Sequence, residues 1–130
     1  MTSHPYPIDV RWGEMDALGH VNNVEYLRYF ESARVEWLSN IGHITGNPNC
    51  GPVVLQSNCT YRKAVVYPCR LNVMTQLQRV GNSSFDLSQC LSGSDDNSVY
   101  AEALITCVWV DRKTGRPTPV ADYIRQQLAK

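Results

Sequence analysis

The chain has 130 residues, 43% of them hydrophobic and 18% charged, and its twelve basic and twelve acidic side chains cancel. That length builds one domain with a real core (residues 1–130 as a unit) and is too short for two ordinary ones. A net charge of zero speaks against a nucleic-acid surface or an anionic-membrane patch, so any anionic ligand must be held by a local cluster. Residues 1–10 lack a charged segment followed by an apolar core, which argues against a secretory signal. The longest apolar runs fall well short of the ~20 residues that a membrane span needs. Cys50, Cys59, Cys69, Cys90 and Cys107 are scattered and form no C-x-x-C pair. They fit a reducing, cytoplasmic setting in which thiols serve as small apolar fillers.

Ile8-Asp9-Val10-Arg11-Trp12 alternates apolar and polar residues and predicts a short strand ending at Trp12. Asp16 then sits in a loop, and Asn22 followed by Glu25 reads as an N-cap with a capping-box variant. From Asn23 the residues Tyr26, Leu27, Phe30, Ala33, Trp37, Leu38 and Ile41 recur at helical intervals, so a helix runs to about Asn40–Gly42. Val53–Tyr61, Arg70–Val80 and Phe85–Leu91 alternate as strands with one covered face. Gly81-Asn82 is a tight hairpin signal, since both residues accept positive φ. Val99–Val110 is apolar on both faces around Glu102 and Thr106, which predicts the central strand. Asp111–Pro119 is a turn-rich loop and Val120–Leu128 a short terminal helix. Trp12 and Trp109 read as core.

The helix start gathers a carboxylate, a glycine turn and free N–H groups, a place where a carbonyl oxygen is polarised. Asp16 is suited to act as nucleophile or as general base toward water. Its bland role is an Asx-type cap of the turn. His20 suits proton traffic, and equally a loop-pinning structural role. The backbone N–H of Asn23 is the expected oxyanion donor. Glu31 and Arg34 stand at i and i+3, where an ion pair is the default, with Glu31 a minor candidate for a second carboxylate. His4, His20 and His43 have no i, i+4 partner, and no Gly-rich phosphate loop or G-x-S-x-G elbow occurs, so neither metal nor cofactor is expected.

Asp16-x-x-Gly19-His20-Val21-Asn22-Asn23-x-x-Tyr26, continued by Tyr26-Leu27-x-x-Phe30-Glu31-x-Ala33-Arg34, resembles the active-site loop and central helix of hotdog-fold acyl-CoA thioesterases of the 4-hydroxybenzoyl-CoA thioesterase type. The likeness covers nearly the whole chain. It implies an α+β hotdog fold, a curved antiparallel sheet of about five strands wrapped around one long helix. It also implies acyl-CoA hydrolysis, Asp16 at the acid position of the loop, and assembly as a homodimer or homotetramer. Arg62, Lys63, Arg79 and Ser83 resemble positions that grip coenzyme A phosphates and pantetheine, partly from a neighbouring subunit. Tyr26, on the buried stripe, is a candidate for a hydroxyl near the substrate, with a core aromatic as the commoner role. Arg112, Lys113 and Arg116 are further candidates. For any one of these cations, solvated charge at a strand end is the simpler reading. The His-Val-Asn-Asn run departs from the hydroxybenzoyl enzyme's own loop and resembles fatty-acyl thioesterases, which points to medium or long aliphatic chains. Hydrolysis of acyl carrier protein thioesters, a dehydratase or hydratase activity, and a non-catalytic acyl-CoA-binding protein are the competing readings.

Overall fold

A computed structural model describes residues 4–44 and 46–128. In chain order it contains β1 (Tyr6–Asp9), α1 (Asn23–Asn40), β2 (Cys50–Tyr61), β3 (Arg70–Val80), β4 (Ser84–Gly93), β5 (Val99–Asp111) and α2 (Asp122–Leu128). Among the described residues the strands form one antiparallel sheet in the order β1-β3-β4-β5-β2. The sheet curls around α1. This is the hotdog architecture.

α1 begins where it does because Asn22 is extended and its Oδ1 accepts the Val24 N–H at 2.9 Å, satisfying one of the helix's free donors. Glu25 does not close a capping box; its carboxylate pairs with Arg28 at 3.6 Å. At the far end Gly42 adopts φ +110°, a conformation that costs glycine nothing and stops the helix. The buried stripe comprises Tyr26, Tyr29, Phe30, Ala33, Trp37 and Leu38. It meets Leu71 and Val73 of β3, Leu87 and Leu91 of β4, and Ile105 and Trp109 of β5 in one core. Each such large side chain, once buried, contributes ~1.5–3 kcal/mol.

Several expectations need correcting. β1 ends at Asp9, and Trp12 lies in a single 3₁₀ turn (Trp12–Glu14), 75% exposed, instead of in the core. The chain leaves the sheet there because the Glu14 carboxylate accepts both the Arg11 N–H (2.8 Å) and the Tyr29 hydroxyl (2.7 Å). Leu27 is turned outward, and Tyr29 takes its place in the stripe. The central strand is β4; β5 lies between β4 and β2. The β3–β4 turn holds Gly81, Asn82 and Ser83 between the strands, closed by Gly81 N–H to Ser84 O at 2.7 Å, with neither Gly81 nor Asn82 at positive φ. β2 has no covered face: it is an edge strand with a bulge between Val54 and Gln56, and Val53, Val54 and Leu55 are all exposed. α1 packs on β3 and β1, while β2 stands off from it. That leaves a groove between α1 and β2.

Candidate active site

The Asp16 loop is built almost wholly from its own backbone. Asp16 N–H donates to His20 O (3.0 Å) and Gly19 N–H to Asp16 O (3.1 Å), with Gly19 at φ +87° making the reversal. Val21 N–H then donates to Val65 O at 2.8 Å, and Asn22 N–H to Glu14 O at 3.0 Å, tying both ends of the loop down. Leu18 N–H donates to Asp16 Oδ1 at 2.9 Å, so the Asx turn is present. The second oxygen, Oδ2, lies 3.5 Å from Asn22 Nδ2. One carboxylate oxygen is therefore fixed by the turn, and the other is only loosely held.

That carboxylate lines an open cleft of about 340 Å³ together with His20, Asn23, Tyr26, Arg62 and Lys63. Asn23 is the first residue of α1, and its N–H has no acceptor among the described residues. The cleft is thus lined both by the Asp16 carboxyl and by the first residue of α1, whose N–H is free among the described residues. Its opposite wall is the segment after β2. Tyr26, 4% exposed, holds that wall: its hydroxyl donates to Lys63 O (3.2 Å) and accepts from Val65 N–H (3.1 Å). Burial raises the Tyr26 phenol above its ordinary pKa, so it stays protonated. With its proton committed to Lys63 O, Tyr26 acts here as a tie between walls.

Sequence analysis did not single out Tyr61, which lines the cleft, lies edge-on to Tyr26 with centroids 5.1 Å apart, and donates to Asn23 O at 3.4 Å. Only the register of β2 brings it to the helix start, and no local motif encodes that register. His20 contributes its carbonyl to the loop, and its imidazole has no hydrogen-bond partner among the described residues.

The cations divide into two groups. Arg62 and Lys63 stand at the cleft, Arg62 paired with Glu102 (2.9 Å) and Lys63 over the Tyr100 ring, 5.2 Å from its centroid. Arg79 and Ser83 stand elsewhere in the chain. Arg79 is paired with Asp86 at 2.8 Å, which lowers the Asp86 carboxyl's pKa, and Ser83 O accepts the Trp109 N–H at 2.7 Å. Tyr61 is opposite Ala101 and Val53 opposite Val108, next to the Ser83 turn. Roughly 25 Å of strand therefore separates this turn from the cleft. Arg112, Lys113 and Arg116 do not line the cleft either. No cluster of ligating side chains suited to a metal ion occurs among the described residues, and no described helix is long and apolar enough to cross a membrane.

Residues 10–128 match the thioesterase-like superfamily. The chain is 35% identical over 124 residues to the long-chain acyl-CoA thioesterase FadM of Escherichia coli, covering 93% of each. Among solved structures, the PA2801 protein of Pseudomonas aeruginosa superposes with a TM-score of 0.93 at 42% identity, covering 98% of this chain and 99% of that one. A 1,4-dihydroxy-2-naphthoyl-CoA thioesterase from Synechocystis shares the fold alone, with a TM-score of 0.88 at 15% identity over 97% and 95% of the two chains. The curled sheet around α1 is thus a recognised frame. The chain belongs to the thioesterase-like superfamily and is a hotdog-fold thioester hydrolase.

Proposed function

We propose that the protein hydrolyses acyl-CoA, with medium or long aliphatic acyl groups, to the free acid and coenzyme A. One observation carries this reading: Asp16 and the unpartnered Asn23 N–H line the same cleft at the start of α1. The likeness to a long-chain acyl-CoA thioesterase supports the substrate class.

The thioester carbonyl seats against the Asn23 N–H, where the negative charge of the tetrahedral intermediate is stabilised by a donor already in place. Asp16 Oδ2 either takes a proton from the attacking water or attacks the carbonyl carbon itself to form a mixed anhydride. Collapse expels the coenzyme A thiolate, giving the free acid directly in the first route; in the second, water then hydrolyses the anhydride, releasing the acid and restoring Asp16. His20 lies close enough to the cleft to exchange protons with it. Arg62 and Lys63 grip the anionic coenzyme; Arg62 does so by exchanging its exposed pairing with Glu102 for phosphate.

Arg79 and Ser83 join such a site only from a second copy. The exposed apolar edge formed by Val53, Val54 and Leu55 supports homo-oligomerisation along β2. The five cysteines, all free, suit work in the cytoplasm.

The test is chromatographic measurement of coenzyme A release from a panel of acyl-CoAs by the parent and by Asp16→Asn. The variant keeps the Oδ1 contact with Leu18, so the fold survives while kcat falls by about 10²–10⁴. Release by Asp16→Asn at the parental rate removes Asp16 from the chemistry. Tight binding with no release from any thioester replaces the enzyme by an acyl-CoA-binding protein.

A further inference from the structure

Two tyrosines one turn apart on α1, Tyr26 and Tyr29, hold different walls of the cleft. Tyr26 ties down the segment after β2. Tyr29, 4% exposed, sends its hydroxyl the other way, to Glu14 Oε1 at 2.7 Å. The same oxygen accepts the Arg11 N–H at 2.8 Å, so the carboxyl is fixed both by the turn that precedes the Asp16 loop and by the helix. Burial, then the bond to Glu14, push the Tyr29 phenol far above its ordinary pKa, so it keeps its proton and stays a donor. A buried phenol deprived of its acceptor bears a desolvation cost, which holds the bond closed. Neither Glu14 nor Tyr29 lines the cleft. Whatever they do for the reaction they do through the loop.

Glu14 also stands at the root of that loop. Its backbone oxygen accepts the Asn22 N–H at 3.0 Å, Met15 and Val21 form an antiparallel bridge, and Asp16 N–H donates to His20 O. Residues 14–16 and 20–22 therefore make a miniature ladder, with Asn22, the N-cap of α1, at its base. A ladder joined to a helix through one residue is free to swing about it. Met15 and Val21 pack on the core, but burial is non-directional and sets no angle. The Tyr29 bond supplies a second attachment, about 9 Å along the helix from Asn23. Met15 is extended, with φ −73° and ψ 145°, so Glu14 and Asp16 leave the chain on the same side. Aiming Glu14 at Tyr29 thereby turns Asp16 toward the helix start.

We propose that Glu14 and Tyr29 are positioning residues for the hydrolysis: their bond sets the angle between the Asp16 ladder and α1, and with it the placement of the Asp16 carboxyl relative to the Asn23 N–H. Neither residue touches the thioester. Without the bond the loop stays attached through Asn22 and through Val21 N–H to Val65 O, but it rocks. A reacting group displaced by about 1 Å costs up to about 10²-fold in rate. Arg62 and Lys63, on the opposite wall, keep their places, so binding of the substrate survives while turnover falls. The inference rests on the reading of Asp16 as the reacting carboxyl and adds the residues that hold it in register.

The experiment measures kcat and KM for coenzyme A release from dodecanoyl-CoA by the parent, Tyr29→Phe, Glu14→Ala and Glu14→Gln, each well below its own thermal midpoint. Tyr29→Phe and Glu14→Ala are each expected to lower kcat by about ten- to a hundredfold with KM held within about twofold. The double variant loses no more than either single one, because both remove the same bond. Glu14→Gln keeps an oxygen that accepts from the Arg11 N–H and the Tyr29 hydroxyl, and stays within about threefold of the parental kcat. Parental kcat in Tyr29→Phe, whatever its urea midpoint, overturns the proposal and leaves a purely structural bond. So does a loss in Glu14→Gln equal to that in Glu14→Ala, which makes the charge and not the bond the active quantity. The two Glu14 variants decide the matter even if Tyr29→Phe does not fold. Equal release by the parent and Asp16→Asn, or no release from any acyl-CoA, overturns the reading of Asp16 itself. An inactive Asp16→Asn beside a fully active Tyr29→Phe overturns this inference alone.

Discussion

The two sides of α1 are made differently. The side turned to β3 and β4 is filled by Phe30, Ala33, Trp37 and Leu38, which mesh with sheet residues to leave almost nothing exposed. The side turned to β2 carries Val24, Leu27, Glu31, Arg34 and Val35 along a groove that this chain leaves open. One helix thus anchors the fold on one face and lines an open groove with the other. The Asp16 loop sits at the start of the helix, tied by backbone bonds to Val65 and Glu14. The contrast teaches that substitutions a residue or two apart on the same helix fall either in the packed core or on an open groove.

The largest expected effect is on the filled side. Phe30→Ala removes a fully buried ring at the centre of the core, and the cavity and lost transfer energy cost about 3–5 kcal/mol. Urea denaturation reads this as a large fall in the midpoint. A loss below about 1 kcal/mol would mean that the core closes around the gap and that the two sides are less distinct than their packing indicates.

Tyr26→Phe probes the helix start. The substitution keeps the ring and removes the hydroxyl, leaving the Val65 N–H and Lys63 O without their partner. A buried donor left unsatisfied costs about 1–3 kcal/mol. Because Val65 O also holds Val21 N–H, the wall carrying Arg62 and Lys63 loosens against the Asp16 loop. Coenzyme A release at saturating substrate therefore falls, by about tenfold, in protein that is still folded. A drop in midpoint with unchanged kcat would make Tyr26 a core residue and nothing more.

The filled side of α1 was legible in the sequence because the period of an α-helix is local. Tyr26, Phe30, Ala33, Trp37 and Leu38 announce themselves within one stretch, and Asn22 marks where it starts. The curled sheet followed from alternation and turn residues, although the same alternation carried Trp12 wrongly into the core, since the Glu14–Tyr29 bond that turns the chain away spans the loop. The cleft was half legible. Asp16 and the Asn23 N–H belong to one short motif, whereas Tyr61 reaches them through strand register and Glu14 finds Tyr29 from another element. Arg34, expected to pair with Glu31, donates instead to Gln89 of β4. The openness of β2 was not legible, because exposure of an edge strand depends on its neighbours and not on its own pattern of residues.

A smaller effect tests the far end of the filled side by pH. His43, just beyond α1, is buried with Nδ1 2.7 Å from the Tyr123 hydroxyl, its ring edge-on to Trp109. Burial, reinforced by the nearby Arg112 charge, lowers its pKa from the ordinary value of about 6.5. The folded state therefore binds a proton less readily than the unfolded one. Stability is complete above the unfolded pKa and is lost as pH falls through the folded value. The urea midpoint of the parent should drop below about pH 6.5 more steeply than that of His43→Gln. Parallel pH profiles would show that His43 titrates as it does in an unfolded chain.

The smallest effect belongs to the open side. Leu27→Ala truncates a side chain turned away from the core, so at low protein concentration the unfolding free energy from urea denaturation should change by no more than about 0.5 kcal/mol. The same substitution at high concentration reports whether a second copy covers this face. If β2 edges join two chains and the groove closes between them, parent stability rises with protein concentration and Leu27→Ala blunts that rise. If stability is independent of concentration in both proteins, the open side of α1 faces only water. In that case the groove is shaped by α1 and β2 alone. Either result decides which residues close the groove between α1 and β2, and neither changes the filled side.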